Sequence, residues 1–431
     1  MKVILCKSHL VGAMSGADET LVTYADHLQK AGQDVSVLLM YLHAEEDQYY
    51  QRLLESKVPV SWIASNLAQN SMGAGRRLAN RMFYSFPGSK PFIRRKTQPL
   101  LNAMASRHYR QCRDFLEKQA PDLVHVMTPD ASAMVMIRAA HDAGIPVIYQ
   151  ELGIPFHPPG FEYYREFASV LPLCSEVVAL SPLLFADCRE KLPGSRSLSV
   201  LPIMSQELSN GDQPRRHPDA RITFGFAARM EELKGPMVLM EAMGIAYGEF
   251  ENVCLNIAGD GSRRQEIAAR AKALNVASRY RYHGVYTHPE ERCAFMRSLD
   301  VFVMPSFTEG TPNSIVEAMA HGIPIIASQV GGVPDMIGAD AGVLVPPGDA
   351  NALAQAMLRL ARDPDLRESM GRAAQERYQR YFSPQAVLPL IVQTYQRVSG
   401  NGHCDARTSG NGHLHPWAEA ANGNSGAAKM S

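Results

Sequence analysis

The sequence predicts an α/β fold of two doubly wound domains facing a cleft, and three observations lead there. Short strand-like runs occur at Val3–Leu5, Ile222–Ala227, Val253–Ala258 and, interrupted by Asp300, Leu299–Met304. They have the length and apolar character of strands buried on both faces. Across 222–360, strand, short loop and helix patterns alternate, as in a parallel sheet. The third observation is length. A chain of 431 residues exceeds one ordinary core and suits two domains of roughly 150–200 residues each.

The run Ile222–Ala227 leads into a loop with Arg229 and Lys234, and a helix follows over Met237–Met243. An Arg and a Lys on a loop facing a helix N-terminus suit a diphosphate, since Arg grips oxygens as a fork and Lys supplies a compact charge. The same two residues also read as solvated surface charges. The run Val253–Ala258 ends in Gly259-Asp260-Gly261, which shares two glycines with a dinucleotide fingerprint. Arg264 stands where the third glycine belongs, and that excludes the fingerprint.

The run ending at Met304 opens into Ser306-Phe307-Thr308-Glu309-Gly310-Thr311-Pro312-Asn313-Ser314, and the helix Ile315–Ala320 comes next. Glu309 and Glu317, separated by seven residues, therefore straddle a strand-to-helix turn, where open α/β sheets hold ligands. Gly310 permits a tight turn, and Pro312 is expected at the first helical position. The free N–H groups there form an anion site suited to phosphate. Glu309 can accept hydrogen bonds from sugar hydroxyls, and Glu317 can hold a vicinal diol such as a ribose. The alternative is that Ser314-Ile315-Val316-Glu317 is a capping box.

Five segments carry a family resemblance: F-G-F-A-A-R-M-E-E-L-K-G, I-A-G-D-G-S, Y-H-G-V-Y, G-V-L-V-P-P-G-D and the long run from M-P-S-F-T-E-G-T to G-G-V-P-D. In this order and spacing they make 222–359 similar to the donor-binding domain of the retaining glycosyltransferases of family 4. The resemblance implies the GT-B architecture, two Rossmann-like domains about a cleft. It implies that Arg229 and Lys234 bind the donor diphosphate, that Glu309 contacts the transferred sugar, and that Glu317 holds the nucleotide ribose. Gly310, Thr311, Asn313 and Ser314 would complete the phosphate site, and Val285 would frame the base. The expected donor is a UDP-, GDP- or ADP-sugar, and the acceptor a hydroxyl on a glycan, a lipid-linked sugar or a small molecule. No Asp-x-Asp lies near the phosphate loop and the sequence has no metal-ligand cluster, so neither a metal nor another cofactor is expected. A same-fold nucleotide-sugar epimerase and a non-catalytic sugar-nucleotide sensor or membrane scaffold are the alternatives.

The first half resembles the family in fewer places. Ser15-Gly16-Ala17-Asp18-Glu19 resembles the glycine loop that lies against the donor, with Ser15 where a second glycine is common. A helix over Thr20–Lys30 and a strand over Gly32–Leu38 follow the same pattern. Pro121–Val126 resembles the strand whose histidine faces the cleft, which implies that His125 bonds the sugar or shuttles a proton. On its residues alone, His125 reads equally as a satisfied core histidine. Relatives carry a second histidine at the position of Met127, and a His-Gly pair where Leu152-Gly153 stands. Glu151, on the expected acceptor side, is either a ligand for hydroxyls or a cationic acceptor, or an ordinary loop charge.

The expected boundaries are 1–205 for the acceptor-side domain, 206–220 for a polar linker with two prolines, and 221–382 for the donor domain. A helix at 383–398 is expected to return to the first domain. The remainder, 399–431, repeats Ser-Gly-Asn-Gly-His and is expected to be disordered. The formal net charge is zero, yet 71–118 holds eleven Lys or Arg against Asp114 and Glu117, interleaved with Phe83, Tyr84, Phe86, Phe92 and Ile93. That mixture suits an anionic membrane surface or a solvated helical hairpin. No nucleic-acid motif accompanies it, and nucleic acid is not expected. No stretch approaches the ~20 apolar residues of a spanning helix, and Val3–Cys6 is too short for a signal core. The expected location is cytoplasmic, peripheral on the inner face of a membrane. Seven cysteines without a C-x-x-C fit reduced thiols.

Overall fold

In a computed structural model of the chain, the described residues are 1–12, 14–41, 46–64, 106–153, 167–191, 197–205, 221–286 and 288–400. Seven strands form the first sheet: β1 (Lys2–Lys7), β2 (Asp34–Tyr41), β3 (Val60–Ala64), β4 (Leu123–Val126), β5 (Val147–Gln150), β6 (Glu176–Ala179) and β7 (Leu198–Val200). Their order is β3-β2-β1-β4-β5-β6-β7, all pairs parallel. Six form the second: β8 (Ile222–Ala227), β9 (Val253–Ala258), β10 (Tyr280–Gly284), β11 (Val301–Met304), β12 (Ile325–Ser328) and β13 (Gly342–Val345). They lie in the order β10-β9-β8-β11-β12-β13, again parallel throughout. The winding reverses between β1 and β4 and between β8 and β11. Those two switch points are where loops diverge beyond the strand ends and leave a crevice.

Helices pack on both sheets: α1 (Gly16–Lys30), α2 (Gln48–Glu55), α3 (106–119), α4 (Ala131–Asp142) and α5 (Pro182–Lys191) in the first half. The second half has α6 (Pro236–Glu249), α7 (Arg264–Ala273), α8 (Pro289–Arg297), α9 (Asn313–Ala320), α10 (Val333–Ile337), α11 (Ala350–Arg362) and α12 (Pro364–Tyr381). The last helix, α13 (Pro384–Gly400), leaves the second domain and packs on the first. Its Val387, Ile391 and Tyr395 are buried among Val3, Leu5 and Leu21. Arg397 pairs with Glu176 on β6, with Nη1 2.5 Å from Oε2.

Among the boundaries that differ from the sequence reading are those of α1, α9 and α13. Helix α1 starts at Gly16 rather than Thr20, because Ser15 is its N-cap and accepts a hydrogen bond from the Asp18 N–H at 3.3 Å. Pro312 is the N-cap of α9, in extended backbone, rather than its first helical residue. Helix α13 runs on through Ser399 and Gly400, so those residues do not belong to a tail. The expected linker 206–220, the tail from 401 onward and residues 71–105 of the basic segment, with its five apolar side chains, lie outside the described residues. Among the described residues, no helix is long and apolar enough to cross a membrane.

Candidate active site

The two switch points open onto one cleft of ≈ 370 Å³. From the first domain, the loop after β1 and the start of α1 line it with Ser15, Gly16 and Glu19. A buried ion pair fixes that loop. Lys7, the last residue of β1, has its Nζ 2.5 Å from Asp18 Oδ1, while Asp18 Oδ2 accepts the Val11 N–H at 2.6 Å. The pair thereby ties the Val11 backbone to the start of α1.

From the second domain, the loop after β8 brings Arg229 and Lys234 to the cleft. Gly235 makes its close course feasible. At φ +66°, a Cβ there would stand 2.0 Å from the Pro305 carbonyl oxygen, so a side chain would push this loop off the end of β11. The approach sets Lys234 Nζ 2.6 Å from Glu309 Oε1, and Ser306 Oγ donates to the same oxygen at 2.7 Å. Glu309 is buried, and Arg229 is exposed at the cleft.

Gly310, Thr311, Asn313 and Ser314 continue the wall to Glu317. Pro312 offers no side-chain acceptor, so the first turn of α9 carries uncapped N–H groups at the cleft, a favourable place for an anion. The Asn313 amide donates across the cleft to the Gly16 carbonyl at 2.7 Å. Gly310 is pressed against the facing domain; a Cβ on it would lie 3.0 Å from the Leu152 carbonyl oxygen and 3.2 Å from Gly153 Cα.

The Glu317 side chain does not form a capping box. Arg292 Nη1 donates to its Oε1 at 3.1 Å, and the Tyr286 hydroxyl lies 3.5 Å from Oε2. Burial pushes the Glu317 carboxyl up from the usual range; Arg292 opposes the shift without cancelling it.

Of the residues expected at the donor site, Gly16, Arg229, Lys234, Glu309, Gly310, Thr311, Asn313, Ser314 and Glu317 share the cleft. Three expected residues do not line it. Val285 is absent from the wall, and its neighbour Tyr286 stands there instead. His125 on β4 is fully buried, with Nδ1 2.7 Å from the Tyr395 hydroxyl of α13. Burial lowers its pKa to about 3, so it is a neutral core histidine. Glu151 is buried too, accepting from the Tyr149 hydroxyl at 2.7 Å and the Gly153 N–H at 3.0 Å, and burial raises its pKa. It shapes the Leu152-Gly153 turn from behind.

Sequence reasoning missed Glu19, Arg52, Tyr286 and Arg292. Arg292 sits in Pro-Glu-Glu-Arg-Cys, which reads as a solvated helix face, yet it is buried between Glu317 of its own domain and Glu19 of the first. Glu19 carried one signal, its place in the first turn after the glycine loop.

Residues 221–363 match the family model for glycosyl transferases group 1. A D-inositol 3-phosphate glycosyltransferase of Corynebacterium jeikeium (strain K411) is 30% identical over 188 residues, 42% of this chain and 44% of that protein. A phosphatidyl-myo-inositol mannosyltransferase of Mycobacterium leprae (strain TN) is 33% identical over 198 residues, 45% and 52% of the two chains. The matches thus span about half the length of these curated relatives. Among solved structures, HepE of Anabaena in complex with UDP-glucose superposes with a TM-score of 0.69 at 18% identity, covering 92% of this chain and all of its own. That likeness shows the fold, two Rossmann-like domains in the GT-B arrangement.

Proposed function

We propose that this chain, whose residues 221–363 belong to the glycosyl transferases group 1, is a retaining glycosyltransferase using a nucleotide-diphosphate sugar. The observation that carries the reading is the meeting of Arg229, Lys234, Glu309, Glu317 and the α9 N-terminus in one cleft at both switch points. The transferred group would be a hexose-type sugar, and the acceptor a hydroxyl on a glycan, a lipid-linked sugar or a small molecule.

Breaking the anomeric C–O bond moves an electron pair onto the diphosphate and leaves positive charge on the sugar ring. Arg229, Lys234 and the uncapped N–H groups of α9, which share the cleft, would stabilise the departing oxygens. Glu309 holds Lys234 in place and can accept from sugar hydroxyls with its other oxygen. Glu317 would take the ribose diol. The acceptor hydroxyl would attack from the face the diphosphate leaves, which retains the anomeric configuration. This scheme routes no step through a metal, and since His125 lies off the cleft, it routes no proton through that side chain either. The donor's own departing phosphate oxygen is then the base nearest the incoming hydroxyl.

The test is donor binding followed by transfer. UDP, GDP and ADP are titrated into the protein, and the sugar of the binding nucleotide is offered with polyol and glycan acceptors in chelator. Transfer with retained configuration supports the reading. Binding without turnover favours a non-catalytic role, altered donor sugar without acceptor favours an epimerase, and a chelator-sensitive rate rejects metal independence.

A further inference from the structure

A buried chain of alternating charges crosses from one domain to the other beside the cleft. Arg52 of α2 grips Glu19 of α1 with both terminal nitrogens, Nη1 at 2.7 Å from Oε2 and Nη2 at 3.1 Å from Oε1. From the facing domain, Nη1 of Arg292 on α8 lies 3.1 Å from Glu19 Oε1 and also 3.1 Å from Glu317 Oε1. The side chains of Glu19, Arg292 and Glu317 are at most 10% exposed. Buried ion pairs contribute little net stability against apolar packing, so stability alone does not explain such an arrangement. Its placement suggests a role. One end is the carboxylate assigned to the ribose, and the Arg292 guanidinium links that carboxylate to Glu19 of the facing domain.

We propose that Arg292 is the positioning residue for the Glu317 carboxylate, and that Glu19, clamped by Arg52, is its anchor in the facing domain. This rests on the reading that Glu317 receives the diol of a nucleotide donor. The guanidinium fixes one oxygen of Glu317 and opposes the rise that burial imposes on its carboxyl, leaving the second oxygen to accept from the ribose. Because Arg292 also reaches Glu19, Glu317 is best ordered when the two domains face each other.

The groups around Glu317 give the role a signature. Arg292 and Cys293 face it from α8, Glu19 from α1, Tyr49 from α2 and Tyr286 from the loop after β10, while His321, the C-cap of α9, bonds the Glu317 backbone carbonyl. Arg292 lowers the Glu317 pKa and Glu19 raises it. Removing Arg292 must therefore move the loss of binding on acidification to higher pH, and removing the Glu19 charge must move it lower.

The experiment measures the affinity of UDP, GDP and ADP by calorimetry from pH 5 to pH 9. It uses the full chain and the variants Glu19→Gln, Arg292→Met and Arg292→Lys. With the nucleotide that binds wild type, Arg292→Met should bind about tenfold or more weaker near pH 6, with its acid limb shifted up. Arg292→Lys should keep the wild-type limb with a smaller loss, and Glu19→Gln should shift the limb down. Should Arg292→Met not fold, the downward shift in Glu19→Gln decides. Identical limbs in wild type and the variants overturn the positioning role while leaving the donor reading intact. Absence of any nucleotide binding by wild type removes the donor reading and the inference with it.

Discussion

Lys234 and Glu309 stand 2.6 Å apart, and an ammonium has three donors, so the pair fixes the lysine's charge without exhausting its hydrogen bonds. A diphosphate can then bind the remaining donors beside Arg229. Loss of either cation should lower kcat/KM by about 10²–10³-fold, the scale of one lost stabilising contact in a transition state. The two variants should part in stability. Arg229 is exposed, so Arg229→Ala should melt within about 0.5 kcal/mol of wild type. Lys234→Ala leaves a buried Glu309 with only Ser306 as a neutral donor, and should cost about 2 kcal/mol in urea unfolding. Equal stabilities would mean that the pair is not formed in solution. Gly310 is a steric case. Its Cβ position meets backbone of the facing domain, which cannot rotate away, so Gly310→Ala must hold the cleft slightly open. Steady-state kinetics should show about a tenfold loss in kcat/KM with little change in melting, since misplacement of reacting groups costs rate before stability.

At the scale of elements, α13 couples the halves. It continues the second domain's chain yet contributes Val387, Ile391 and Tyr395 to the first domain's core. Glu176 on β6 is fully buried and is held by Arg397 and Ser199. Arg397 is itself half-exposed, so Arg397→Met should cost about 2 kcal/mol, less than a fully buried pair would. Unchanged urea unfolding would show that the Arg397–Glu176 pair contributes nothing to the seating of α13. Strands β8, β9 and β11 were legible in the sequence because each apolar run is short and soon meets Arg229, Gly259 or Pro305, so propensity and tertiary demand agree there. Cleft residues on loops directly after strands, such as Arg229, Lys234 and Glu309, were legible for the same reason: topology puts strand ends at the crevice. His125 was misplaced because a strand period does not say which face meets the cleft and which meets α13. Arg292 escaped notice because no local pattern encodes its contact with Glu19, 273 positions away in the chain.

For the molecule as a whole, acid is the condition that reaches the joint between its halves. His125 sits on β4 of the first domain and bonds Tyr395 on the helix arriving from the second. Burial lowers its pKa from 6.5 to about 3 in the fold, so between those values the unfolded chain binds the proton and the folded chain does not. The stability linked to His125 is therefore complete above about pH 6.5 and declines by about 1.4 kcal/mol per unit as the pH falls toward 3. Glu19 acts in a lower window. Burial raises its carboxyl, but Arg292 and Arg52 outweigh that and hold it near about 2, so its contribution persists above 4.5 and fades only as the pH drops toward 2. Glu317 and Glu151, both raised by burial, titrate with the opposite sign and mask these slopes in wild type alone. A variant comparison isolates the histidine. His125→Phe loses the Tyr395 bond and should be less stable than wild type at pH 7.5, yet it has no proton to gain. The urea-unfolding gap between the two should narrow by about 2 kcal/mol from pH 6.5 to pH 5. A gap independent of pH would mean that His125 takes up its proton equally in the folded and unfolded chains, and that burial does not lower its pKa.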